Sequence, residues 1–504
     1  MTTQHQPQAH QQEPAFGEPL ARKPYQLAGL VLGLAAFVLI SVLPAPEGMS
    51  GEAWKVTAVA VLMALWWITE ALPISVTALL PLFLFPLMGV AGIKQAALHY
   101  ANPVVFLIFG GFVIAVAMQK WHLHRRIALK VLSFSGTRSD ALIAGFMVAT
   151  AAISMWVSNT ATTIMMLPIA VSVITLINRD NAPGSEGEVV EDARFATALV
   201  LAVAFSASIG GLGTLIGTIP NALFAAFMLD NYGVEIGFAR WMLVGVPLAL
   251  VMLLLAWAIL TKLVFAVGHG RHGDVEAMIA GELEEMGPLS RGERLTAMVI
   301  ACVAGAWVVR PFLSAAFPGV EISDTMIAIV GAVTLFMIPV DAKRGVFILD
   351  REWAGHLSWS VLILFGGGLS LAAGISDSGL SQWIGTGMEG LAGLPLILIV
   401  VSLTTLIILL TELTSNTATT IIFLPLTVTL AEINGIDPVM LLVPVVTAAS
   451  CAFMIPVATP PNAIVFASGR VTVPQMAQAG LLINMAAVPV ITAFALSLAA
   501  WVFG

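Results

Sequence analysis

Two clusters of small polar side chains lie inside long apolar stretches of this chain. Residues 158–163 read Ser-Asn-Thr-Ala-Thr-Thr, and residues 415–420 repeat the same six letters. A Leu-Pro pair follows each copy, at Leu167-Pro168 and at Leu424-Pro425. An identity of this length within one chain indicates an internal repeat. Hydroxyl and amide groups are costly in an apolar medium unless something binds them, so the two clusters predict one binding site built from two related halves.

A second polar segment accompanies each cluster, and it is rich in Gly or Pro. Residues 210–221 read Gly-Gly-Leu-Gly-Thr-Leu-Ile-Gly-Thr-Ile-Pro-Asn, and residues 456–462 read Pro-Val-Ala-Thr-Pro-Pro-Asn. A helix does not continue through so many Gly and Pro residues, so we expect each span to unwind there. The N–H groups at a new helix end suit a carboxylate or another oxyanion. Free carbonyls and neighbouring hydroxyls suit a small hard cation such as sodium, for which no full carboxylate is required.

A purely structural interpretation of these segments is open at this point. Ser, Asn and Thr can join helices by hydrogen bonds inside a membrane, and Gly and Pro can serve close packing. Four such segments, arranged as two related pairs, favour the binding site. Two acidic residues within apolar stretches also have a structural and a functional interpretation. Glu70 fits the end of a span, whereas Glu412, three residues before Ser415, is a candidate ligand for a proton or an ion.

The composition is that of a polytopic membrane protein. Of 504 residues, 59% are hydrophobic and only 10% are charged, and the mean hydropathy is +0.98, whereas soluble domains carry about 25% charged residues. The net charge of −8 does not argue for or against nucleic acid, and we expect no nucleic-acid partner. Cys302 and Cys451 lie in apolar runs, so we expect neither a disulfide framework nor a zinc site, and no cofactor.

The apolar runs predict an all-α polytopic membrane protein with about eleven transmembrane helices, each long enough to cross about 30 Å. Two longer stretches, 139–178 and 392–430, hold one Ser-Asn-Thr cluster each near the midpoint. Each stretch fits either two spans or one re-entrant hairpin. We favour the hairpin with a polar tip, which is allowed where protein or water satisfies its irregular backbone.

The predicted organisation follows the chain. It consists of a disordered cytoplasmic tail over 1–23, a first transmembrane helix over 24–50, a first inverted repeat over 51–265 with a re-entrant hairpin over 139–178, a cytoplasmic linker over 266–294, and a second inverted repeat over 295–504 with a re-entrant hairpin over 392–430. The first apolar run could instead be a signal peptide. Its length and the lack of a small-residue cleavage site favour a retained helix.

Basic residues predict the orientation of the spans. With the N-terminus in the cytoplasm, every Lys and Arg falls on the cytoplasmic side except Lys55, Lys94, Arg240 and Arg310. The C-terminus is then expected outside. Five full crossings separate the two Ser-Asn-Thr clusters, and an odd number places the second half upside down. Such inverted repeats, with binding near the middle of the membrane, are typical of secondary transporters.

One further segment makes the chain recognisable. Residues 450–465 read Ser-Cys-Ala-Phe-Met-Ile-Pro-Val-Ala-Thr-Pro-Pro-Asn-Ala-Ile-Val. With the doubled Ser-Asn-Thr, this segment resembles the divalent anion:sodium symporter family, from about residue 53 to the C-terminus. The resemblance implies a carrier of dicarboxylates, citrate or sulfate in the cell inner (plasma) membrane, with sodium as the coupling ion. It also implies a homodimer in the lipid bilayer, in which a transport domain moves against a scaffold domain by an elevator mechanism.

The resemblance also implies roles for individual residues. Substrate carboxylates would bind Ser158, Asn159, Thr160, Thr218, Ser415, Asn416, Thr417 and Thr459. A first sodium site would use Ser154, Ser158, Asn159 and Gly217. A second sodium site would use Thr411, Thr414, Asn416, Ala458 and Pro460, largely through backbone carbonyls. The two halves differ at one position of this pattern, where the first has Ile219 and the second has Pro460.

The leading hypothesis is a sodium-coupled importer of C4-dicarboxylates such as succinate, malate or fumarate, because two intact motifs fit a cargo with two carboxylates. A dicarboxylate exchanger and a sodium-coupled sulfate or citrate transporter of the same fold stay open. We do not expect an enzyme, since the sequence has neither a His-Glu-x-x-His helix nor a Gly-rich phosphate loop. An anion channel would more often line its route with Arg or Lys, whereas the basic residues here stay at the membrane faces.

Overall fold

The computed structural model describes residues 22–180, 186–268, 270, 273–387, 390 and 393–503. Residues 1–21 of the predicted tail, residues 269, 271 and 272 of the predicted linker and residue 392 of the second predicted hairpin lie outside this set. The described residues are mainly helical, which confirms the predicted fold class. Within them, the one sheet is a short antiparallel pair, β1 (Pro339–Asp341) and β2 (Val346–Phe347), which the sequence analysis did not predict.

The helices define the frame of the molecule. In chain order they are α1 (Pro24–Val42), α2 (Gly51–Thr69), α3 (Ile74–Thr77), α4 (Leu80–Met88), α5 (Ile93–Leu98), α6 (Pro103–Lys120), α7 (Leu123–Ser133), α8 (Ser139–Ser154), α9 (Asn159–Asp180), α10 (Glu186–Gly211), α11 (Ile219–Tyr232) and α12 (Phe238–Ala258). They continue as α13 (Gly273–Glu285), α14 (Arg291–Ala316), α15 (Asp324–Met337), α16 (Trp359–Asp377), α17 (Leu380–Gly387), α18 (Leu396–Thr411), α19 (Asn416–Ile433), α20 (Pro438–Ala449), α21 (Pro460–Ala467), α22 (Val473–Phe494) and α23 (Ala500–Phe503).

Membrane-spanning character is widespread among these helices. In the described part of the chain, ten helical stretches have the length and apolar composition needed to cross a membrane. The apolar run over residues 74–92 is divided into α3 and α4. The division falls before Pro81, which has no N–H to continue the hydrogen bonding of α3.

Two pairs of helices meet at polar tips. α8 ends at Ser154 and α9 begins at Asn159, while α18 ends at Thr411 and α19 begins at Asn416. The incoming helices α8 and α18 have 16 residues each, which gives a rise of about 24 Å. This is less than the about 30 Å of a bilayer core. The lengths agree with the predicted re-entrant hairpins, which remain a prediction.

Two other helices are interrupted beside the tips. Residues 212–218 separate α10 from α11, and residues 450–459 separate α20 from α21. A glycine lets α10 lie directly on α8, since a Cβ at Gly210 would stand 2.5 Å from backbone atoms of Ala151. The interruption is therefore held close to the first tip by backbone packing.

The hydrophobic interior has two parts. The first core is built mainly from α8, α9, α10, α12, α18, α20 and α22, and it includes an edge-to-face contact between Phe205 and Phe453 with ring centroids 5.2 Å apart. The second core joins α2, α6, α11 and α14 to α16, with Trp67 and Trp307 fully buried in it. Of the helices that carry the tips and interruptions, α8, α9, α10 and α18 lie in the first core, α11 lies in the second, and α19 and α20 contribute to both.

The turn between α11 and α12 is tied to helices of the second core. Asn102, which caps the start of α6, donates through Nδ2 to Asp230 Oδ1 at the end of α11, at 2.7 Å. Asp324, at the start of α15, accepts the backbone N–H of Phe238 through Oδ2 at 2.5 Å. The same carboxylate lies 3.1 Å from Arg310 Nη1 on α14. We call these three interactions the α11–α12 contacts.

A buried ion pair joins α7 to the start of α14. Arg126 Nε donates to Glu293 Oε1 at 2.6 Å, and both side chains are buried. The Arg126 guanidinium also donates to the carbonyl oxygens of Gly287 at 2.8 Å and Met286 at 3.1 Å. The segment predicted as a linker therefore contains α13 and ends against α7.

Candidate functional site

The first tip is held by a buried hydroxyl and an amide. Ser154 Oγ, at the end of α8, donates to the carbonyl oxygen of Ala207 on α10 at 2.7 Å and lies 2.6 Å from the Asn159 amide. When the amide nitrogen of Asn159 faces this group, it donates to Ser154 Oγ, to Ala207 at 3.1 Å and to the Gly217 carbonyl at 3.3 Å. The start of α9 is therefore bound to both sides of the interruption between α10 and α11.

The second tip repeats this arrangement with Thr in place of Ser. Thr411 Oγ1 donates to the carbonyl oxygen of Ala449 on α20 at 2.7 Å and lies 2.7 Å from Asn416 Oδ1. One turn further, Thr420 donates to the Asn416 carbonyl at 2.8 Å, as Thr163 does to the Asn159 carbonyl at 2.8 Å. The repeat seen in the sequence is thus also a repeat of hydrogen bonds.

Each interruption is closed by one asparagine side chain. Asn221 Nδ2 donates to the carbonyl oxygens of Gly211, Leu212 and Thr214, at 3.2, 3.2 and 2.8 Å. Asn462 Nδ2 donates to those of Ala452 and Ile455, at 3.1 and 3.2 Å. Both asparagines are fully buried. The carbonyls that unwinding releases are therefore fixed in direction instead of being left without partners.

The two halves meet at these interruptions. Thr218 Oγ1 in the first lies 3.3 Å from Ser450 Oγ in the second. The helices that follow the tips cross over, since α9 packs against α21 and α19 packs against α11. Four helices, α9, α11, α19 and α21, begin in this region. Their first N–H groups lack partners within the helix and favour an anion.

The predicted substrate residues divide by burial. Six are exposed or half-buried, namely Ser158, Asn159, Thr160, Thr218, Ser415 and Asn416. Thr417 and Thr459 are buried. Thr459 caps α21, and its Oγ1 accepts the Asn462 N–H at 3.4 Å. A ligand between the halves would therefore reach the first six side chains more easily than the last two.

The predicted sodium residues are brought together to different degrees. In the first set, Ser154, Asn159 and Gly217 are joined by the contacts described above, and Ser158 Oγ accepts the Ala161 N–H at 3.3 Å. In the second set, Thr411 contacts Asn416, while Thr414 Oγ1 lies 2.6 Å from Thr419 Oγ1. Ala458 lies in the 450–459 loop, where its N–H donates to the Ile455 carbonyl at 3.1 Å, and Pro460 begins α21.

Several side chains at this region were missed or given no role from the sequence. Asn221 and Asn462 were part of the quoted segments, and their equal places in the two interruptions were a usable signal. Ser450 had no such signal. Glu412 lies at the second tip and is buried, whereas Glu70 is exposed at the end of α2, in a left-handed conformation with φ 48°. The position of Glu70 agrees with its interpretation as the end of a span.

Comparison with known proteins identifies the relationship. A sequence model of the family described as "Sodium:sulfate symporter transmembrane region" matches residues 25–504. The chain belongs to this family. It is 40% identical over 468 residues to the sodium-dependent dicarboxylate transporter SdcS of Staphylococcus saprophyticus, over 92% of this chain and 90% of the relative. It is 39% identical over 475 residues to SdcS of Staphylococcus aureus, over 93% and 91%.

A solved structure shares the fold. The Alcanivorax borkumensis YdaH transporter, whose crystal structure is described as having an unusual topology, matches with a TM-score of 0.52 and 14% identity. The match covers 95% of this chain and 96% of that chain. At this identity the likeness concerns the fold alone, and it agrees with the predicted polytopic helical class.

Proposed function

We propose that this protein is a secondary active transporter that imports C4-dicarboxylates such as succinate, malate or fumarate together with sodium. The observation that carries this proposal is the pair of matching tips, each bonded to the interrupted helix of its own half, with the two interruptions in contact through Thr218 and Ser450. Relatives that cover most of the chain are named sodium-dependent dicarboxylate transporters. Two related tips correspond in number to the two carboxylates of the cargo.

Each substrate carboxylate is proposed to bind one tip. Asn159 and Asn416 start the helices α9 and α19, so their side chains stand next to the first-turn N–H groups at the positive end of each helix dipole. The other proposed contacts are Ser158, Thr160, Thr218, Ser415, Thr417 and Thr459. Hydrogen bonds to an ionised carboxylate are stronger than those between neutral groups, so small polar side chains suffice.

Sodium is proposed to bind beside each tip. The first site would use Ser154, Ser158, Asn159 and Gly217, and the second would use Thr411, Thr414, Asn416, Ala458 and Pro460. Hydroxyl and carbonyl oxygens are suitable ligands for this cation. A bound cation would fix the tip against its interrupted helix and offset the negative charge of the cargo. Substrate affinity then depends on sodium, which is the coupling that symport requires.

Transport is proposed to proceed by an elevator movement in a homodimer of the cell inner membrane, with the N-terminus in the cytoplasm and the C-terminus outside. The first core supports this proposal, because α8, α9, α10 and α18, which carry parts of both tips and the start of the first interruption, are packed into one hydrophobic cluster. Such a unit can carry the site across the membrane without being taken apart.

The function is tested by uptake of labelled succinate into proteoliposomes at fixed pH, with and without an inward sodium gradient. We expect saturable uptake that needs sodium and that malate and fumarate inhibit. Uptake that requires preloaded internal dicarboxylate and ignores the sodium gradient would indicate an exchanger. Sodium-driven uptake of sulfate or citrate, with no succinate uptake, would keep the family function but replace the proposed substrate.

A further inference from the structure

Glu412 is a buried carboxylate at the second tip whose hydrogen bonds all come from neutral N–H groups. Glu412 is only 3% exposed to solvent. Oε1 accepts the backbone N–H of Phe453 at 2.7 Å and of Met454 at 3.0 Å, and the Asn484 amide at 2.7 Å. Oε2 accepts Met454 at 3.0 Å and Ile455 at 3.2 Å.

These bonds connect three separate elements. Glu412 directly follows α18, Phe453 to Ile455 lie in the loop that interrupts α20 and α21, and Asn484 lies on α22. Three successive backbone N–H groups converging on an anion form a nest, which fixes the local backbone. The Ile455 carbonyl accepts from the Asn462 side chain and from the Ala458 N–H, so this peptide segment is held from both sides. The Glu412 carboxylate therefore fixes the position of the loop relative to the tip.

The first half is built differently at the same place. The repeat that aligns Ser158 with Ser415 aligns Met155 with Glu412. There the Met155 carbonyl accepts Thr214 Oγ1 at 2.6 Å, and Thr214 Oγ1 accepts the Gly217 N–H at 3.0 Å. A neutral hydroxyl thus connects the first tip to its loop, whereas an acidic side chain connects the second. Two otherwise matching half-sites differ in how they are tied together.

We propose that Glu412 is a positioning residue for sodium coupling in the second half, holding the Phe453–Ile455 segment so that Ala458 and Pro460 stand beside the second tip. The inference rests on the proposed function. It makes the second sodium site dependent on one carboxylate, while the first site depends on the hydroxyl of Thr214. Glu412 itself contacts neither substrate nor sodium in this scheme.

The substitution Glu412→Gln tests the proposal with little change of volume. A Gln side chain has one acceptor oxygen, and its amide nitrogen would face N–H donors. Whichever way the amide turns, either Phe453 or Ile455 loses its partner, because these two N–H groups bind different oxygens. We expect the half-saturating sodium concentration for succinate uptake to rise about tenfold or more. At saturating sodium, the succinate KM should return to within about twofold of the parent value, which a general loss of structure would not allow.

Two milder variants test the same interaction in case Glu412→Gln does not fold. Asn484→Ala removes one donor and leaves the carboxylate in place, so it should shift sodium dependence in the same direction by a smaller factor. Glu412→Asp keeps the charge and should recover part of the sodium affinity lost in Glu412→Gln. The matched control is Glu432→Gln, an exposed glutamate near the other end of the same hairpin, which should leave sodium dependence unchanged.

A second readout follows the loop itself. Val457 is 85% exposed in the 450–459 loop, so Val457→Cys in a Cys302→Ser background can be labelled with a maleimide. Sodium alone should slow labelling in this protein and have a much smaller effect when Glu412→Gln is added. Unchanged sodium dependence of both uptake and labelling in Glu412→Gln and Asn484→Ala, with a sodium-dependent parent, would overturn the inference. A parent that shows no sodium-dependent uptake would instead count against the proposed function.

Discussion

Removing the Ser154 hydroxyl should reduce sodium affinity without removing the fold. Ser154 is fully buried, and its Oγ makes the 2.7 Å bond to Ala207 and the 2.6 Å contact with Asn159. A typical intramolecular hydrogen bond contributes about 1 kcal/mol, and a buried group left without a partner costs about 1–3 kcal/mol. Ser154→Ala should therefore weaken the arrangement that fixes Asn159 by about 1–3 kcal/mol.

This free-energy cost predicts a shift in the half-saturating sodium concentration. When the substitution destabilises only the sodium-bound arrangement of the tip, the half-saturating sodium concentration rises about 5- to 150-fold, since about 1.4 kcal/mol is a factor of ten. Thr411→Ala should give a shift of similar size, because its two contacts are both 2.7 Å long. Sodium titration of succinate uptake at fixed membrane potential measures both.

The control is Ser172→Ala, which removes an exposed hydroxyl on α9 that donates only to the Pro168 carbonyl. It should leave sodium dependence unchanged. Sodium titrations of Ser154→Ala and Thr411→Ala that stay within twofold of the parent, in protein that inserts normally, would refute the reasoning that these hydroxyls organise ion binding.

Three other outcomes are expected. Asn159→Ala and Asn416→Ala should each abolish succinate uptake while surface labelling shows normal insertion, and normal uptake in both would refute the substrate assignment. Thr459→Ala should raise the succinate KM by a larger factor than it lowers the amount of inserted protein. Its hydrogen bond to the Asn462 N–H is long at 3.4 Å, so its loss should destabilise the fold little. A fall in the amount of protein as large as the rise in KM would argue for a structural role. Gly210→Ala should destabilise the protein by about 1–3 kcal/mol through overpacking, seen as a lower melting temperature, whereas Gly305→Ala, with no atom within 4 Å of the added Cβ, should not.

Local patterns were sufficient to predict the tips and interruptions. A repeated polar hexapeptide in apolar surroundings, with Gly and Pro nearby, specifies where helices must end, and the structure ends them at Ser154, Gly211, Thr411 and Ala449. The family and the helical class were confirmed on this basis. The individual substrate and sodium contacts remain predictions.

Long-range partners could not be predicted in the same way. The pairs Glu412–Asn484 and Arg126–Glu293 form only when distant helices pack together, and no periodicity in the sequence encodes such a pairing. The residue types did carry a hint, because a carboxylate inside an apolar stretch must find donors. Amphipathic α7 and α13 could not be predicted from apolar runs, because charged and apolar residues are mixed along both helices.

The α11–α12 contacts have a kinetic consequence for an elevator movement that carries α11 and α12 along with the tips. Asn102 on α6 and Asp324 on α15 hold Asp230 and Phe238, which border the turn between α11 and α12. A displacement of several ångströms along the membrane normal would separate all of these groups at once, because N–H···O hydrogen bonds have donor–acceptor distances of only about 2.7–3.2 Å. The position seen here would then be a distinct energy minimum that the protein leaves in a single activated step. Its depth would control the turnover number, and cargo affinity would be set elsewhere.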